Sequence, residues 1–92
     1  MTTLHFDTDA GRTASSSLAN ACNNFDSELI NLTKQVNNLV GSEWMGNSAT
    51  QFQNQFQGWS HKMRLLISEL ESMRQQLDQE IAEWEAAASA LD

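Results

Sequence analysis

The sequence predicts an all-α protein, an antiparallel helical hairpin that pairs with a second hairpin into a dimeric four-helix bundle. Three observations carry this. Apolar residues recur at alternating steps of three and four over two long stretches. Between them lies a single break, GSEWMGN at 41–47, which holds two of the four glycines in a chain without proline. Finally, 92 residues with one cysteine, Cys22, make one small domain over 1–92 that no internal disulfide can staple. A chain this short hides only roughly 60–65% of its unfolded surface, so association is the remaining source of stability.

The first helix is expected over about residues 8–40. Its seam reads Leu18, Cys22, Phe25, Leu29, Leu32, Val36, Leu39, an unbroken heptad stripe with Asn, Ser, Gln and Lys on the other face. Asp7, Thr8 or Asp9 can cap its start. The first turns, with Gly11 and three serines at 15–17, form helix less readily than the rest.

The loop is expected at 41–47. Gly41 suits the left-handed position that ends a helix. Gly46 either takes a positive φ or lets two backbones approach closely. Ser48-Ala49-Thr50-Gln51 fits a capping box that would start the second helix. A connection this short makes the two helices antiparallel neighbours.

The second helix is expected over about 48–90. One column of its seam is Ala49, Phe56, Met63, Leu70, Leu77, Trp84, Leu91; the other is Phe52, Trp59, Leu66, Met73, Glu80, Ala87. Only Glu80 is polar, and it either fixes register or marks where tight packing ends. Ile67 and Ile81 widen the stripe on one flank. At 1.5 Å per residue this helix is roughly 65 Å long, longer than the first, so residues beyond about 80 are expected to have no first helix beside them. Two helices bury only their shared line. The rest of such a stripe marks an interaction surface, which a second hairpin would close; the alternative is a monomer with its seam partly exposed.

Charge and motif exclude several functions. Twelve acids against five Lys and Arg give −7, against nucleic acid, whose phosphates need basic side chains. The polar faces also lack the Lys and Arg that bind anionic membranes. Apolar runs are too short to span a bilayer, and MTTLHFDTDAGR has neither the basic nor the apolar region of a secretory signal peptide. No catalytic, cofactor or metal site is expected. His5 and His61 stand in no metal-ligand or acid–His spacing, and Cys22 falls on the seam, where a thiol is inert packing.

The segment Trp44-Met45-Gly46-Asn47-Ser48-Ala49-Thr50-Gln51-Phe52 resembles the W-x-G turn of the WXG-motif family, the ESAT-like small secreted proteins. There the tripeptide sits mid-chain between two heptad helices, followed by a small pair, here Ser48-Ala49, and an aromatic, here Phe52. The resemblance implies a hairpin that dimerises, with itself or with a related WXG-motif protein. It also implies a substrate of a type VII (ESX-like) secretion system, recognised by that system's ATPase and exported folded without a cleaved signal peptide. Extracellular action would then be by binding, as an effector or a co-secreted partner. One departure concerns the family's Tyr-x-x-x-Asp/Glu export signal: the chain has no tyrosine, and Ala88 stands four residues after Trp84. The signal then lies on another subunit, or Trp84 and the terminal acids replace it, or the chain is not itself targeted. The competing reading is an intracellular coiled-coil adaptor with no export role.

The residues expected to matter divide accordingly. Trp44 either staples the loop onto the second helix or anchors a partner. Leu18, Phe25, Leu29, Leu32 and Val36, with Phe52, Phe56, Trp59, Met63, Leu66, Leu70 and Met73, are expected in the hairpin or dimer seam. Trp84 is a candidate C-terminal partner contact. The acid-rich stretch from Asp78, at the negative end of a helix dipole, is expected either to fray or to be held by a partner.

Overall fold

A computed structural model describes residues 5–90, and its two long helices form an antiparallel hairpin, a rod 69 × 22 × 18 Å. Helix α1 runs Thr8–Leu39 and α2 runs Asn47–Ala90. Asp7 caps α1, its carboxylate accepting the Ala10 N–H at 3.0 Å. This satisfies one of the amides that a helix start leaves unpaired.

The loop is tightly bonded. Gly41 has φ +96° and Gly46 φ +113°, and a side chain at either would meet nothing within 4 Å. Both glycines therefore supply backbone conformation rather than space. The Trp44 N–H donates to the Leu39 carbonyl at 2.9 Å, and the Gly41 N–H donates to the Trp44 carbonyl at 2.9 Å. The expected capping box is replaced. Helix α2 begins one residue early, at Asn47, so Ser48 lies inside the first turn. The Gly46 carbonyl accepts the Thr50 N–H (3.1 Å) and hydroxyl (3.3 Å) instead.

Cross-helix contacts give the register. Gln53 donates to Asn37 at 3.3 Å, the Cys22 thiol lies 4.0 Å from the Ile67 carbonyl, Ser15 donates to Asp78, and Arg12 pairs with Glu85. Thus α1 reaches as far as Glu85, which corrects the expectation that nothing of the first helix lies beside residues beyond about 80. The surplus length of α2 is divided between its two ends. Leu91, the last position of the expected seam, and Asp92 lie outside the described residues.

At the open end Phe6 precedes the cap and its ring lies over Gly11. A Cβ on Gly11 would stand 2.9 Å from that ring and 3.1 Å from Ile81. Phe6 and position 11 are the two partners of a hydrophobic staple, but with no side chain at 11 the ring passes across to α2. There it meets Trp84 edge to face, centroids 5.9 Å apart. The weak helix former in the first turns of α1 thus has a packing reason.

Candidate interaction surface

The heptad pattern divides into two surfaces. In α1 the column Ser15, Cys22, Leu29, Val36 faces α2; Leu29 is 4% exposed and Ser15 and Cys22 are buried. The column Phe25, Leu32, Leu39 is exposed, while Leu18 is half-buried. In α2, Ala49 is buried and Phe56, Met63, Leu70 and Leu77 are half-buried. The companion column Phe52, Trp59, Leu66, Met73 is exposed, Leu66 at 54% and Met73 at 61%. Its place inside the hairpin is taken by Gln53, Ser60, Ile67, Arg74 and Ile81, of which Ser60 and Ile81 are buried.

The two exposed columns meet on one flank, where Phe25 and Leu32 of α1 and Trp59 of α2 line the same cleft. That cleft, of about 100 Å³, is lined by Phe25, Glu28, Leu29, Leu32, Trp59, Met63 and Ile67. Phe56 and Trp59 stack tilted, centroids 5.6 Å apart. At the loop end Trp44 packs on Phe52 at 5.4 Å; at the open end Trp84, also partly exposed, carries the stripe onto Phe6. Among the described residues no large side chain is fully buried. Much of the hairpin's large apolar surface, including Phe25, Trp59, Leu66 and Met73, stays exposed.

Trp44 is half-buried, pinned through both backbone groups and by Phe52. The freely presented apolar side chain of the tripeptide is its middle residue, Met45, 74% exposed. Nothing in the heptad pattern distinguished Met45, which lies in the loop.

The opposite flank is polar. Arg12 pairs with Asp9 at 3.2 Å and with Glu85. Arg74 bonds Glu71 through Nε at 3.1 Å and Asp78 at 2.8 Å, while Ser15 donates to Asp78. The hydrogen bonds from Arg74 hold the Glu71 carboxyl below its ordinary value against the opposing effect of burial, and the Arg74 charge adds to the lowering. The heptad spacing of Ser15 before Cys22, and of Arg74 between Ile67 and Ile81, is the sequence signal that points these two side chains toward the partner helix.

No described helix is long and apolar enough to cross a membrane. The family model WXG100, described as "Proteins of 100 residues with WXG", matches residues 4–89. No curated protein and no solved structure matches the chain significantly.

Proposed function

The chain belongs to the WXG100 family, and from that premise we propose that it is a small protein exported by a type VII (ESX-like) secretion system as a folded dimer. It acts outside the cell by binding other proteins, as an effector or a co-secreted partner, rather than by catalysis. The observation that carries this reading is the continuous apolar flank formed by Phe25, Leu32, Leu39, Phe52, Trp59, Leu66 and Met73. A second hairpin laid on it, whether another copy or a related WXG-motif chain, would complete a four-helix bundle and remove these side chains from water. The loop end, with Met45 exposed and Trp44 held against Phe52, is the surface offered to the secretion ATPase. Trp84 belongs to the other end, where a partner would hold the acid-rich terminal turns.

The test is export of Trp44→Ala. The variant is expected to fold and dimerise but to be missing from the culture supernatant, because the tip is misshapen while the flank is intact. Normal export of the variant would remove the tip from the export mechanism. A protein retained in the cell in both forms would favour the intracellular adaptor.

A further inference from the structure

The polar flank carries a second recognition feature, independent of the dimer reading and on the side the apolar flank leaves open. A cleft of about 110 Å³ between the helices is lined by Thr33, Asn37, Phe56, Gln57, Ser60 and Arg64. At its wall the Ser60 hydroxyl is buried, the residue only 4% exposed, and has no hydrogen-bond partner. A buried hydroxyl without a partner is costly and asks for an acceptor or donor from outside the chain.

The lining is rich in donors and contains no acid. Two larger clefts on this flank each include two carboxylates, Asp78 and Glu85 in one, Asp26 and Glu71 in the other. Among the described residues no carboxylate lies within ion-pair distance of Arg64, whereas Arg12 and Arg74 are both paired. Asn37 accepts from Gln53 through its oxygen, which leaves its NH₂ free, and the Thr33 hydroxyl is already given to the Leu29 carbonyl at 2.7 Å. Phe56 supplies an apolar wall. In a chain of charge −7, an unpaired guanidinium beside a free hydroxyl and free amides suits one ligand chemistry, since a carboxylate accepts several donors at once and matches the guanidinium fork.

We propose that this cleft is a carboxylate-binding site, with Arg64 as the charged clamp, Ser60 as the buried donor, and the Asn37 and Gln57 amides completing the shell. The carboxylate arrives either as a small free acid or on an acidic side chain of another protein, its methylene carbons against Phe56. Arg64 also borders the neighbouring cleft that holds Asp26, so Asp26 is the intramolecular competitor for the same guanidinium.

The full chain, titrated with sodium acetate against sodium chloride at equal ionic strength, tests this by NMR at the Arg64 Nε–H, the Asn37 and Gln57 NH₂ groups and the Ser60 amide. Shifts confined to these groups should saturate at millimolar acetate. Arg64→Gln should weaken binding roughly tenfold, since the bidentate charge-assisted pair is the main attraction. Asp26→Asn should strengthen it. Circular dichroism of Arg64→Gln, altered at an exposed position, checks that the helices persist. N-acetylglutamic acid α-amide separates the two sources: saturation by acetate alone supports a free small acid, and saturation by both supports an acidic side chain. Shifts that never saturate, that chloride reproduces, or that survive unchanged in Arg64→Gln overturn the site.

Discussion

Gly41, Gly46 and Gly11 show how one residue type answers two different demands. Gly41 and Gly46 have open space at their Cβ positions but positive φ, so alanine at either should cost about 1–2 kcal/mol from backbone strain alone. Gly11 has no positive φ, but the Phe6 ring stands 2.9 Å from where a Cβ would go. Gly11→Ala should therefore displace Phe6 from Trp84 and forfeit an aromatic pair of roughly 0.5–1.5 kcal/mol. Gly41→Ala and Gly46→Ala should each lower the melting temperature of the hairpin by several degrees. In Gly11→Ala the gain in helix propensity of about 1 kcal/mol offsets the lost pair, and only this variant should alter Trp84 fluorescence. An unchanged Trp84 signal in Gly11→Ala would mean that the ring is not seated there in solution. Trp44→Ala belongs to the same scale: it loses the contact with Phe52 while leaving both helices their caps and seams.

The two helices are held together differently along their length. Toward the loop the contact is mainly apolar, through Leu29, Val36, Ala49 and Phe56; toward the open end α1 offers Gly11 and Ser15, and polar bonds from Arg12 to Glu85 and from Ser15 to Asp78 take over, with Arg74 holding Asp78 from within α2. A pH dependence is expected from the Glu71–Arg74 pair within α2. Glu71 has its folded pKa below the ordinary 4.5, so it binds protons less readily folded than unfolded. Its contribution is fully present above 4.5 and is lost as pH falls through the lower folded value. Melting followed by circular dichroism should show acid weakening in that range, part of which disappears in Glu71→Gln. The same acid dependence in both proteins would locate the weakening elsewhere.

For the whole molecule, the decisive property is where its large apolar side chains lie. Leu66 is exposed in the isolated hairpin, so Leu66→Glu should change the stability of a monomer by no more than about 0.5 kcal/mol. If the flank is covered by a second hairpin, the same substitution buries an unpaired charge and should abolish association. Light scattering of the parent protein should give about twice the 10.3 kDa chain mass, with a melting temperature that rises with concentration; Leu66→Glu should give the single-chain mass. A parent protein at the single-chain mass at all concentrations would rule out self-pairing and leave only a related chain as the cover.

Much of this molecule is written in its spacing. The alternation of three and four specifies both helices to within a residue at the loop, because an α-helix returns a side chain to the same face at that period. The absence of proline and the placing of Gly41 and Gly46 specify a single turn. Resemblance at Trp44-Met45-Gly46 pointed to the family that the match over 4–89 establishes. Spacing alone did not say which apolar column each helix gives to its neighbour. Phe25 and Leu29 are equivalent in the stripe, yet one is exposed and the other buried, since a hairpin can bury only the line where its two helices touch. That line depends on how the turn rotates α2 about α1. The rotation brought Ser60 and Arg74 inward, turned Trp59 and Leu66 out, and let Phe6 cross Gly11 to reach Trp84, none of which a periodicity read along one helix at a time contains.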